Sequence, residues 1–80
     1  MRRPIIVPEL GVAAQVVSVW YARPGERLHA GDRVVELLLG AATFDVPAPC
    51  TGRLVERVAV APDRVAVGQV LGFIEEESDA

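Results

Sequence analysis

The chain has 80 residues and a net charge of −3 at pH 7, with a single cysteine, which bounds it to one small domain and excludes an internal disulfide. Its 51% hydrophobic and 24% charged residues exclude disorder as the overall state. All eight basic residues are arginines dispersed along an acidic chain, so the basic face that nucleic-acid binding needs is absent.

The elements follow in order. Residues 3–7 form a short apolar strand closed by Pro8, and residues 8–14 read as a loop. Residues 15–22 alternate in part, which places Val17, Val19 and Tyr21 on one face. Pro24-Gly25 and Ala30-Gly31-Asp32 are turn signals. Residues 33–39 are an apolar strand broken by Gly40-Ala41, and residues 42–46 form the next one, before Pro47 and Pro49. After Thr51-Gly52, residues 53–60 set Leu54, Val55, Val58 and Val60 against Arg53, Glu56 and Arg57. Pro62-Asp63 turns the chain again, and residues 69–75 make the last strand. The expected domain is 1–75, with 76–80 an acidic tail that frays. No stretch combines helical periodicity, caps and freedom from Gly and Pro. The fold class is all-β, with about seven or eight short strands.

Sliding the chain on itself by 37 residues places Val17 on Leu54, Ala22 on Ala59, Glu26 on Asp63 and Arg27 on Arg64. Leu28 then falls on Val65, Gly31 on Gly68, Val34 on Leu71 and Leu37 on Ile74. Two copies are too few for a solenoid but suit two small antiparallel sheets facing each other with pseudo-twofold symmetry. Gly31 and Gly68 then mark equivalent turns with positive φ. Gly40-Ala41 becomes a two-residue hairpin loop, and Gly at its first central position suits a type II′ turn.

In this frame the chain resembles the biotinyl/lipoyl attachment domains, in the form found in acyltransferase components of 2-oxo acid dehydrogenase complexes. The resemblance rests on Val7-Pro8-Glu9-Leu10-Gly11, Val19-Trp20-Tyr21 with Pro24-Gly25-Glu26-Arg27, Ala30-Gly31-Asp32-Arg33-Val34, Thr43-Phe44-Asp45-Val46-Pro47-Ala48-Pro49, Gly52-Arg53-Leu54-Val55 and Val67-Gly68-Gln69-Val70-Leu71. It spans residues 4–75 and implies a flattened barrel or sandwich of two four-stranded sheets. It also implies that a lysine at the hairpin tip carries lipoate or biotin through an amide. Here Ala41 stands at that lysine's position and Gly40 at the preceding aspartate's, and the chain contains no lysine. No prosthetic group is therefore expected. The loop after Gly11 is shorter than in typical lipoyl domains and lacks their Glu and Gly, which puts recognition by a standard dehydrogenase in doubt.

The resemblance leaves three readings open: a lysine-less docking module, a carrier that has lost its lysine, or a piece of an adaptor or multidomain enzyme. None makes the chain an enzyme in its own right. The candidate interaction residues are Glu9, Leu10, Leu38, Leu39, Gly40 and Ala41, because residues 37–42 are uncharged and alternation must expose at least one Leu. A protein partner is expected, from a 2-oxo acid dehydrogenase-type complex or as a second subunit, and neither nucleic acid nor membrane. No apolar run approaches the roughly 20 residues of a membrane span, and the start lacks a secretory signal, so the expected location is cytoplasmic.

Other chemistry-bearing residues read as structural. His29 falls in a turn, Cys50 has no basic neighbour in sequence, Trp20 suits a core edge, and Ser18 has no His or acid beside it.

Overall fold

The computed structural model describes residues 1–12 and 14–78. Ala13, expected in the loop, and Asp79 and Ala80, the end of the expected tail, lie outside the described residues. Eight strands follow one another: β1 (Arg2–Ile6), β2 (Gln15–Trp20), β3 (Arg27–Leu28), β4 (Arg33–Leu39), β5 (Ala42–Pro47), β6 (Gly52–Arg57), β7 (Arg64–Val65) and β8 (Val70–Glu76). They form two four-stranded antiparallel sheets, sheet I in the order β1-β8-β6-β3 and sheet II in the order β5-β4-β2-β7. Among the described residues no helix is long and apolar enough to cross a membrane.

The core lies between the sheets, and residues 37 apart do the same work in it. Val17 and Leu54, Ala22 and Ala59, Leu28 and Val65, Val34 and Leu71, and Leu37 and Ile74 are all buried. Hydrogen bonds recur at the same spacing. Tyr21 N donates to Val34 O and Val58 N to Leu71 O, at 2.8 and 2.9 Å. Arg23 N donates to Glu26 Oε1 and Val60 N to Asp63 Oδ2, at 3.1 and 2.9 Å. His29 N and Ala66 N donate in the same way to Asp32 Oδ2 and Gln69 Oε1. These short side chains satisfy turn amides that no strand partner reaches. Gly31 and Gly68 both have positive φ, at 91° and 85°.

The strands depart from expectation where the alternation breaks. The expected face of Val17, Val19 and Tyr21 does not form: Val17 is buried, while Val19 is 43% exposed. A bulge between Val17 and Val19 resets the register and turns the following residues to the other side. A second bulge, between Leu54 and Glu56, does the same in β6. The strand stops at Arg57, and Val58 and Val60 are exposed rather than packed beside Leu54. β3 and β7 arise between the turn signals, in stretches that the alternation assigns to no strand, because two residues carry no alternation to detect. β8 runs one residue beyond the expected domain end. Glu76 pairs with Gly52, and Glu77 N donates to Thr51 O.

Candidate interaction site at the hairpin

β4 and β5 pair from Arg33 opposite Pro47 to Leu39 opposite Ala42, leaving Gly40-Ala41 as the two-residue loop. Gly40 has φ 83°, and among the described residues none other than glycine has positive φ. Positive φ at the first central position alone is the mark of a type II′ turn, the one whose twist matches its flanking strands. The methyl group of Ala41 is thus held at the exposed apex.

The three leucines separate as pleating requires. Leu37 is fully buried, Leu38 is 37% exposed and Leu39 is half-buried against the core cluster. On the outer face of sheet II, Leu38 pairs with Val16 on one side and Thr43 on the other, and Arg64 follows beyond Val16. Arg64 has no ion pair among the described residues. The hairpin end therefore presents aliphatic surface with one cation at its margin.

The loop residues are less prominent. Glu9 Oε1 accepts from Gly11 N at 2.8 Å, so this carboxylate closes its own turn, and Leu10 is half-buried. The loop delivers the chain into β2 beside β4, but it leaves Leu38 open. The exposure expected of at least one Leu near the tip is found at Leu38.

Two features were not read from the sequence. The first is Gln15, 1% exposed, whose amide nitrogen and oxygen both lack a hydrogen-bond partner among the described residues. An uncompensated buried amide costs about 1–3 kcal/mol. A lone Gln between Ala14 and Val16 gave no sign that it would point inward. The second is a polar cluster on the outer face of sheet II. Tyr21 Oη lies 3.1 Å from Glu36 Oε2 and 3.0 Å from Asp45 Oδ1, and the phenol donates its single proton to these two acceptors. The Arg33 guanidinium sits 4.6 Å from the Tyr21 ring centroid and 3.8 Å from Asp45 Oδ2. Partial burial, then hydrogen bonds to Asp45 and Glu36, push the Tyr21 phenol up to about 12. Glu36 and Asp45 face each other across β4 and β5, a pairing visible only once the register is known.

The remaining candidates are structural in the fold. Trp20 Nε1 donates to Ala59 O at 2.8 Å, and its ring packs at the core edge. His29 is exposed in its turn. Cys50 is buried, and burial pushes its thiol up, away from the reactive thiolate.

No family model matches the chain. Over 77 residues it is 36% identical to a dihydrolipoyllysine-residue succinyltransferase component of a 2-oxoglutarate dehydrogenase complex from Bartonella vinsonii subsp. berkhoffii, covering 94% of this chain and 19% of that one. The Rickettsia conorii protein of the same name is 32% identical, with 100% and 21% covered. A lipoamide acyltransferase component of a branched-chain alpha-keto acid dehydrogenase complex from Bacillus subtilis is 29% identical, with 89% and 17% covered. The chain spans about a fifth of the length of these relatives. Among solved structures, a single-chain, multi-domain long-chain acyl-CoA carboxylase matches with a TM-score of 0.82 at 20% identity, over 99% of this chain and 7% of that one. That likeness is one of fold.

Proposed function

We propose that this chain, which belongs to the biotinyl/lipoyl attachment-domain family, acts without a prosthetic group, as a protein-docking module for a 2-oxo acid dehydrogenase-type assembly. The observation that carries the reading is the apex of the β4–β5 hairpin. Its two turn residues are Gly40 and Ala41, and no lysine exists anywhere in the chain. Lipoate or biotin would be held through an amide to a side-chain amine. A methyl group has no lone pair with which to attack an activated acyl group. The residues present do not fit the prosthetic group.

Binding is the activity left to the site. Leu38 and Ala41 are exposed where a mobile carrier arm would otherwise project, and the surface around them is uncharged apart from Arg64. The relatives' assemblies supply the class of partner. A fully buried Leu contributes about 1.5–3 kcal/mol, which supports a weak, reversible contact.

The type II′ turn supports the second reading, a carrier whose lysine has been lost, because the presenting geometry survives without the amine. One experiment separates the two. The chain and a Gly40→Asp/Ala41→Lys variant are each co-expressed with a lipoate ligase or a biotin ligase, and intact masses are measured. Each protein is also tested by calorimetry for binding to the dehydrogenase component of such a complex. The docking reading expects no adduct on the unaltered chain, an adduct on the double variant, and binding that Leu38→Glu weakens. An adduct on the unaltered chain, or no binding to that component, overturns it.

A further inference from the structure

Each sheet ends in two edge strands, and the four edges of this fold are unequal. β3 and β7 have two residues each, too few to offer a ladder. β1 has five residues with Pro4 at its centre, whereas β5 has six, Ala42–Pro47, and its proline stands last. In a hairpin with a two-residue loop, the residues flanking the loop exchange both backbone hydrogen bonds, and bonded pairs alternate from there. Leu39 with Ala42, Leu37 with Phe44 and Val35 with Val46 are therefore the bonded pairs. The backbone N–H and C=O groups of Thr43 and Asp45 point the other way, to the side where β5 has no neighbour. Both residues are exposed. On β1, Glu76 N donates to Met1 O, so the alternation turns the nitrogen of Pro4 to the free side. Proline carries no N–H, and that edge is blunted where the edge of β5 is open.

An open edge takes an extended strand, and β5 is complementary to itself. Antiparallel pairing of two copies must match outward-facing residues with outward-facing residues. Centred on Phe44, it sets Thr43 opposite the partner's Asp45, Asp45 opposite the partner's Thr43, and Phe44 opposite its own equivalent. The free N–H and C=O groups of Thr43 and Asp45 are then all bonded. On the outer face the Thr43 hydroxyl donates to the partner's Asp45 carboxylate. On the inner side Phe44, half-buried at the margin of the core, meets a second phenyl ring. The other matching registers are poorer: centring on Asp45 faces two carboxylates, and centring on Thr43 carries Asp45 past the strand to the loop residue Ala41. We infer that the free edge of β5 is a homodimer interface, at which two copies of this chain join sheet II to sheet II as one continuous sheet. The contact is isologous and closes at two copies. It is separate from the hairpin apex and does not rest on the docking reading.

Sedimentation equilibrium from about 10 μM to about 1 mM tests the inference. The unaltered chain dimerises. Thr43→Pro removes an edge donor that its own chain does not use, and it weakens association at least about tenfold while the urea midpoint stays within its usual surface-variant range. Thr43→Asp sets a carboxylate opposite the partner's Asp45 and weakens association by repulsion. Thr43→Asp/Asp45→Thr restores the threonine–aspartate pairs with their places exchanged, so association recovers. That recovery cannot arise from misfolding, and it decides the matter even where Thr43→Pro does not fold. A chain that stays monomeric throughout overturns the inference. So does a dimer lost on Leu38→Glu but not on Thr43→Pro, or a double variant that shows no recovery.

Discussion

At the hairpin end of sheet II, one row across β7, β2, β4 and β5 reads Arg64, Val16, Leu38, Thr43. At the matching end of sheet I, the row across β3, β6, β8 and β1 reads Arg27, Arg53, Glu75, Arg2. The first is largely uncharged. The second is closed by polar contacts: Arg27 to Glu77 at 2.7 Å, and Arg53 Nη1 to Gly25 O at 2.9 Å. Their inward neighbours are alike, with Val17 and Leu54 equally buried and Leu37 and Ile74 equally buried. Inward positions are constrained by close packing against the facing sheet, so the frame tolerates little change there. Outward positions are held only by solvent or by whatever docks on them. A difference at equivalent outward positions therefore reports contact and function, whereas a difference at inward positions reports packing.

One inward pair breaks this rule and gives the largest expected effects. Gln15 and Gly52 stand at corresponding places, each paired with a residue of the short edge strand, Val65 or Leu28. A Cβ at Gly52 would collide with the carbonyl oxygen of Glu75, which is backbone and cannot swing aside. Gly52→Ala is expected to cost about 3 kcal/mol, read as a lowered urea midpoint. Sheet II accommodates a whole amide at the corresponding place, so Gln15→Met, of similar shape and without unpaired polar atoms, is expected to gain about 1 kcal/mol in the same assay. A loss instead would mean that the amide is satisfied in solution, and the two sheets would then differ by a polar link rather than by a packing fault.

The frame was legible because its markers are local. Gly31, Gly68, Glu26 and Asp63 recur at one spacing, and each is needed by a turn whose hydrogen bonds the structure repeats. The hairpin loop was legible for the same reason: Gly40 alone can supply the positive φ its turn requires. The bulges in β2 and β6 were not, because an extra residue in a Val-rich strand leaves no mark until the partner strand is known. Every misplaced face follows from them, including the exposure of Val19, Val58 and Val60. The cluster of Tyr21, Glu36 and Asp45 escaped notice because its members come together only through cross-strand register. At the candidate site, the exposed Leu38 followed from pleating, but the role of Glu9 within its own turn required the loop's conformation.

The smallest expected effect at neutral pH lies in that cluster, and it distinguishes the two outer faces by titration. Tyr21 is the single tyrosine of the chain, so ultraviolet absorbance of the phenolate reads it alone. In the unfolded chain the phenol ionises near about 10. In the folded chain its partial burial, with the hydrogen bonds to Asp45 and Glu36 behind it, raises this to about 12. The sign follows from linkage: the folded state binds the proton more tightly, so the stability it contributes is complete below about pH 10 and is lost as pH rises toward 12. Tyr21→Phe should flatten stability across that window and leave neutral pH nearly untouched. Carrying the phenol to the other sheet sharpens the contrast. In a Tyr21→Phe/Val58→Tyr variant, the new side chain stands 37 residues on, where Phe73 and Val70 take the sequence places of Glu36 and Arg33. Without the two carboxylates it should ionise closer to the ordinary range than Tyr21 does. If both phenols titrate alike, the carboxylates contribute nothing, and the polar cluster would be no more than an arrangement of exposed side chains.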